Sequence, residues 1–366
     1  MSERGGTTRS AAIIGGGIGG LATAIRLHRA GWVVRVFERS PHRDPAGTAL
    51  GMWPQALRAL DALGLGARVR EIGAPQRGGS LRRPDGSMIG HIDTAAMIRR
   101  SGDTVHLISR PVLVGLLADA LPAGTVELGT TVTNGNGPRD LATLRAAHDV
   151  VVVADGIFSQ TRTTLFGLAS RPRYVGATAW RGTVDGTVEA LTETWGPGRR
   201  FGTTPREDGR TNWYATLLTP EATRFPEGDL AALRTTFAGW HEGVRRVLDT
   251  VSPDEMLRHD LYDLDRPLRT YVDGTVALIG DAAHAMTPDL GRGACEALID
   301  GVTIADRLAG TDDVRAALAA YDRERRRPTQ RLARTARLMG RMAQARRFTG
   351  IRDVAVRVAT AFGPPA

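Results

Sequence analysis

"AAIIGGGIGG", residues 11–20, is the stretch on which the fold turns. Residues 11–15 read as a short buried strand. The glycines lead into a helix over 18–30, with Ile18, Leu21, Ile25 and Leu27 among its apolar positions. Gly31 ends that helix, and "WVVRVFE" (32–38) reads as the next strand, closing on Glu38 and followed by Arg39. The spacing Gly15-x-Gly17-x-x-Gly20 says little by itself in a chain with 44 glycines. Set between a strand and a helix, with an acid about 20 residues on, it is a dinucleotide-binding fingerprint. Gly15 permits the tight turn, and Gly17 lets a pyrophosphate approach the backbone where Ile18 and Gly19 open the helix. Gly20 allows helix and strand to pack closely, and Glu38 can accept hydrogen bonds from ribose hydroxyls.

A second stretch, "VALIGDAAHAMTPDLGRGACEALIDG" (276–301), separates the possible dinucleotides. A greasy strand ends at Gly280-Asp281, where a carboxylate is placed to bind a polyol. Further on, Gly291, Gly293 and Ala294 open a helix whose amides point into the same site. A positive helix end suits the negative charge of a reduced isoalloxazine around N1 and the C2 carbonyl. A ribityl chain joined to a flavin fits both ends of the stretch, whereas oxidised nicotinamide is positive and fits worse. The expected cofactor is FAD.

At 366 residues the chain has room for about two domains. Its 42% hydrophobic and 24% charged content are ordinary for a globular protein. No run is apolar enough for a membrane span, and no signal-peptide pattern precedes the first strand, so the expected location is cytoplasmic. The net charge is +9, and all 48 basic residues are arginine. The absence of lysine excludes lysine Schiff-base chemistry, the Tyr-x-x-x-Lys pair of short-chain dehydrogenases and the P-loop lysine. A single cysteine, Cys295, excludes disulfides within the chain and paired-thiol reductases. The arginine-rich segment "YDRERRRPTQRLARTARLMGRMAQARR" carries Leu332, Leu338, Met339 and Met342 in an amphipathic pattern, which reads as a solvated helix face. No aromatic stacking platform accompanies it, so no nucleic-acid partner is expected.

Pro54 and Pro111 each start a helix, in the first-turn position that proline tolerates. "DVVVVADG" (149–156) reads as a strand buried on both faces. Between about 172 and 270 the texture becomes sheet-rich, followed by helices at 228–240 and 241–251. The first of these has Leu230, Leu233, Phe237 and Trp240 on one face. After the strand "TVALIG" (275–280) the chain is helical to its end. The expected architecture is α/β, a Rossmann-type FAD-binding domain (1–171 and 271–330) with an inserted sheet-rich substrate domain (172–270) and C-terminal helices (331–366).

Glycines 15–20 with Glu38, "ADGIFSQTR" (154–162) and "GDAAHAMTPDLGRGACEA" (280–297) resemble the three fingerprints of group A FAD-dependent monooxygenases, the p-hydroxybenzoate-hydroxylase fold. "AGTALGMWPQALRALDALGLG" (46–66), "ISRPVLVGLL" (108–117) and "RYVGATAWRG" (173–182) are similar to the branch containing urate hydroxylase, salicylate-hydroxylase-like enzymes and zeaxanthin epoxidase. The motifs are specific for cofactor and fold and not for substrate. The resemblance implies that Asp281 meets the ribityl chain, that Arg110 meets the phosphates or adenosine side, and that Gly51 and the backbone at Val132 border FAD. It also implies that Asp155 serves FAD and the docking of NAD(P)H. Pro288 would then sit at the flavin edge, with Gly291, Gly293 and Ala294 at the pyrimidine ring. Two positions depart from the pattern. Cys295 stands where many hydroxylases have asparagine, although the urate-hydroxylase-like branch tolerates cysteine there. Arg292 fills a usually neutral slot, where it could add charge beside the flavin or point to solvent.

By position in the urate-hydroxylase-like pattern, Arg200 and Trp213 are expected to touch substrate, with Trp180 and Arg181 beside them; for each tryptophan the competing expectation is core packing. The implied activity is NAD(P)H- and O₂-dependent hydroxylation or epoxidation of an electron-rich aromatic or N-heterocyclic small molecule through a flavin C4a-hydroperoxide. A single dinucleotide fingerprint fits NADH or NADPH as a transient reductant. Two alternatives stand beside this reading. One is an FAD-binding protein without turnover. The other is a flavin halogenase or reductase, against which the missing lysine and missing Trp-x-Trp-x-Ile-Pro motif count.

Overall fold

A computed structural model describes residues 8–43, 47–133, 135 and 139–361. Its first sheet has six strands in the spatial order Val272–Asp273, Val276–Leu278, Val150–Val153, Ser10–Ile14, Val33–Phe37 and Val126–Glu127. Ser10–Ile14 pairs in parallel with both Val33–Phe37 and Val150–Val153, and Val276–Leu278 continues the parallel run. The four valines of 150–153 are fully buried. That is why the strand reads as an unbroken apolar run, since helices and loops cover a parallel sheet on both faces.

The helix Ile18–Arg29 crosses the helix Gly293–Ala309 at backbone contact. A Cβ on Gly301 would stand 2.6 Å from the carbonyl oxygen of Gly19, and one on Gly19 would stand 2.9 Å from that of Ala297. Only hydrogen side chains allow this approach. It brings the N-termini of the two helices, one from each of the two decisive stretches, into one groove.

The second sheet has seven strands, in the order Leu257–Asp263, Arg173–Val184, Thr211–Leu218, Arg199–Pro205, Leu191–Gly196, Gly79–Arg82 and Met88–Ile92. Its last two strands come from well before residue 172, a segment to which the sequence reading assigned no element. They join through Leu191–Gly196, which pairs in parallel with Gly79–Arg82. One face of this sheet presents Trp180, Phe201, Trp213 and Ala215 to the helices Asp229–Phe237 and Glu242–Thr250, where Leu233, Phe237, Trp240 and Leu248 complete a buried core. The expected apolar face of Leu230, Leu233, Phe237 and Trp240 is buried there. After Ala309 the chain forms the helices Val314–Ala343 and Thr349–Ala361. Among the described residues, no helix is long and apolar enough to cross a membrane.

Candidate active site

The groove is shaped for a dinucleotide before any ligand enters it. Gly15 holds φ of 109°, a conformation glycine adopts without strain, and a Cβ there would overlap the carbonyl of Ala154. Around Gly17 the space a Cβ would take is open. Gly17 caps Ile18–Arg29 without any side-chain hydrogen bond, so the first amides of that helix face outward for an anion. Glu38 is fixed by the amides of Gly16, at 2.7 Å, and Ser40, at 2.8 Å. Arg39 lies exposed beside it, and Val132 is half-buried against the same core.

At the other end, Gly280 turns the chain and Asp281 begins a short helix, its carboxylate exposed on the groove floor. Arg110 and Arg162 are near enough to favour its charge, against the surrounding protein mass that raises its pKa. Arg162, fully buried, donates to the carbonyls of Ala282 at 3.1 Å, Asp281 at 3.4 Å and Ser170 at 2.9 Å. It thereby ties the Asp155 segment to the Asp281 turn. Its signal was present, as the last residue of "ADGIFSQTR". Asp155 keeps one buried carboxylate oxygen without a hydrogen-bond partner. The helix Gly293–Ala309 starts with no side-chain cap, leaving the amides at Gly293 and Ala294 open, and Gly291 holds φ of 59° just before. Cys295 binds the carbonyl of Gly51 at 3.1 Å, and burial pushes its thiol up to about 11, so it packs rather than reacts. These donors and spaces fit FAD.

Behind the Asp281 turn runs a chain of alternating charges that sequence reading did not anticipate. His284 Nε2 lies 2.6 Å from Asp300, whose other oxygen lies 2.6 Å from Arg325. Arg325 reaches Glu296 at 2.6 Å, and Glu296 holds Arg292 at 2.7 Å. Burial alone would raise the Asp300 carboxyl, but His284 and Arg325 outweigh it and hold it at about 2. Arg292 is neither a free charge beside the groove nor a solvent residue. It folds along its own helix onto Glu296 and lies over the Trp53 ring, 5.3 Å from its centroid.

The polar face of the second sheet carries Arg200, Tyr214 and Arg181, because cross-strand partners share a face: Arg181 pairs with Tyr214, Tyr214 with Gly202, and Arg200 lies two residues from Gly202. A Cβ on Gly202 would overlap the Tyr214 ring, so glycine makes room for the tyrosine to lie across the strand. Arg200 is buried with Asp289 at 2.6 Å and Glu193 at 3.3 Å. Burial raises the Tyr214 pKa well above the usual value, and Glu193, which bonds its hydroxyl, adds to that. Asp289 follows Pro288, which is exposed, so the pair brings the sheet to the turn between Asp281 and Gly293.

The expectation for Trp213 is corrected. Alternation along the strand puts it on the opposite face from Tyr214, fully buried and stacked on Phe201 at 5.8 Å. Trp180 is likewise buried on that face, donating to Asp229 at 2.9 Å. Tyr214, Glu193 and Asp289 are the polar residues that sequence reading passed over.

The family model described as "FAD binding domain" matches residues 8–336. The chain belongs to the group A FAD-dependent monooxygenases. It is 34% identical over 319 residues to aurachin C monooxygenase/isomerase of Stigmatella aurantiaca, covering 84% of this chain and 83% of that one. It is 31% identical over 329 residues to FAD-dependent urate hydroxylase of Klebsiella pneumoniae, covering 86% and 85%. The crystal structure of Klebsiella pneumoniae HpxO complexed with FAD and uric acid superposes with a TM-score of 0.86 at 26% identity, covering 96% of this chain and 93% of that one. The protein is therefore an FAD-dependent flavoprotein monooxygenase, and the non-catalytic and halogenase alternatives are not favoured.

Proposed function

We propose that the chain hydroxylates an electron-rich aromatic or N-heterocyclic small molecule, with NADH or NADPH and O₂ as co-substrates, in the space between the polar face of the second sheet and the Pro288–Gly293 turn. FAD, when bound, supplies the oxygen-transfer chemistry. The observation that carries the reading is the buried contact of Arg200 with Asp289, which joins the substrate-side sheet to the segment that begins at Asp281. Asp281, Gly17 and the amides at Gly293 and Ala294 would hold the cofactor. Arg200 and Asp289 would set the distance between sheet and turn, and Tyr214, its hydroxyl held by Glu193, would offer its ring to the substrate. The tryptophan-rich core behind the sheet keeps water from entering on that side. The relative that binds uric acid supports a planar heterocycle as one member of the class.

The same reading takes 1–171 with 271–330 as the FAD-binding part, except that Gly79–Arg82 and Met88–Ile92 join the sheet of the substrate part, 172–270. The C-terminal helices are expected over 331–366, of which 362–366 lie outside the described residues. It also takes residence to be cytoplasmic, supported by a lone, buried cysteine. The test is a panel of hydroxylated arenes and azaheterocycles, scored by substrate-stimulated NAD(P)H oxidation and a product mass gain of one oxygen. Stimulation without any oxygenated product would refute it.

A further inference from the structure

Arg181 differs from its neighbour Arg200 in one respect. Arg200 meets two carboxylates, while among the described residues no acceptor or acid contacts the Arg181 guanidinium. Arg181 is half-buried on the polar face of the second sheet, directly across from Tyr214. The charges it feels are Arg200, which opposes its own, and the weaker pull of Tyr214. On its other side the strand Leu257–Asp263 brings His259, whose protonation Arg181 disfavours after burial has already lowered it. The acids that could have answered Arg181 are committed: Asp289 and Glu193 pair with Arg200, and Glu193 also takes the Tyr214 hydroxyl.

A half-desolvated cation with no partner is costly unless a ligand completes it. A guanidinium also presents parallel donors that match a planar oxyanion, and it does not lose its proton at accessible pH. We infer that Arg181 anchors a planar oxyanion of the substrate, so the molecule that occupies this site binds as an anion, with either a carboxylate or an ionised ring. The Tyr214 ring across the strand provides an aromatic wall for the planar body attached to that anion. This rests on the monooxygenase reading above and narrows its substrate class.

The experiment uses the FAD-loaded protein and follows flavin absorbance during titration, independently of turnover. The probes are 3-hydroxybenzoate and other hydroxybenzoates for the carboxylate, urate for the ionised ring, and 3-hydroxybenzyl alcohol as a neutral congener. The expected result is that at least one anionic class binds tenfold or more tighter than the neutral probe. Arg181→Gln should abolish that advantage without changing FAD content or neutral-probe affinity, and Arg181→Lys should recover part of it. The class that loses affinity identifies which anion the site accepts. Neutral binding equal to anionic binding, unchanged anion affinity in Arg181→Gln, or a panel in which no anion perturbs the flavin overturns the inference. The hydroxylation reading is judged separately, by the mass of the product.

Discussion

The Arg200 guanidinium stands 2.6 Å from the Asp289 carboxylate, with both side chains almost closed to solvent. One residue belongs to the seven-stranded sheet and the other to the turn that follows Pro288. A buried pair of this kind owes its energy to completeness: each charge has left water, and each depends on the other. It ties the sheet to the turn at a set distance, because removing either partner alone strands a buried charge. Burial works against the Arg200 charge, and Asp289 and Glu193 outweigh that effect.

Arg200→Ala should lower kcat/KM for the true substrate by at least tenfold, equivalent to about 1.4 kcal/mol or more. It should also leave more reducing equivalents uncoupled from product, because the sheet loses its fixed distance from the turn. FAD content should be preserved, since the groove residues Gly15–Gly20, Glu38 and Asp281 lie outside the seven-stranded sheet. Steady-state kinetics with parallel H₂O₂ measurement decides the matter. Wild-type kcat/KM and coupling in this variant would show that the pair does not position the chamber.

Asp281→Ala should weaken FAD retention by about 1.5–3 kcal/mol, the worth of one charge-assisted hydrogen bond. Equilibrium titration of the apoprotein with FAD gives the number, and circular dichroism controls for folding. Unchanged affinity in a folded variant counts against the ribityl role.

Gly202→Ala places a Cβ into the Tyr214 ring. Overpacking of this kind costs about 1–3 kcal/mol, so a lower Tm and a displaced tyrosine are expected, with reduced turnover and normal FAD content. Adding Tyr214→Ala should recover the Tm and leave the turnover defect. No recovery in the double variant would mean that the clash lies elsewhere.

Gly301→Ala should force the helices Ile18–Arg29 and Gly293–Ala309 apart, because the added methyl would stand 2.6 Å from the Gly19 carbonyl. Both decisive stretches depend on that approach. The variant is expected to purify with less FAD and to bind it more weakly, as absorbance ratio and titration would show. Full occupancy at wild-type affinity would contradict the close-crossing argument.

Burial opposes the charge of His284, but Asp300 raises its pKa above the ordinary histidine value. The folded state then holds the proton more tightly than the unfolded chain. The stabilisation is complete below about pH 6.5 and is lost as pH climbs through the raised value. The Tm should therefore fall from pH 6 into the alkaline range more steeply in the wild type than in His284→Gln. Parallel slopes would remove His284 from the pH response.

Much of the cofactor side was legible because its determinants are local. Gly15, Gly17 and Gly20 act over six residues of one turn, and the strand "VVVV" declares its double burial by composition alone. Asp281 and the glycines after Pro288 likewise form one continuous stretch. The pairing of Leu191–Gly196 with Gly79–Arg82 was not legible, because it joins segments over a hundred residues apart. The turn Pro84-Asp85-Gly86 between Gly79–Arg82 and Met88–Ile92 is a local hairpin signal that the sequence reading passed over. The face on which each residue of the seven-stranded sheet sits was not legible either. Arg200 and Phe201 differ by one position and point to opposite sides, and only the strand register settled that Trp213 joins the core while Tyr214 joins the polar face. Charge partnership is the clearest case. Sequence offers two arginines, Arg200 first and Arg181 behind it, on strands that Thr211–Leu218 separates in the sheet. Tertiary structure alone gives Asp289 and Glu193 to Arg200 and leaves Arg181 without either, because ion pairs form between side chains that meet in space, whatever their separation along the chain.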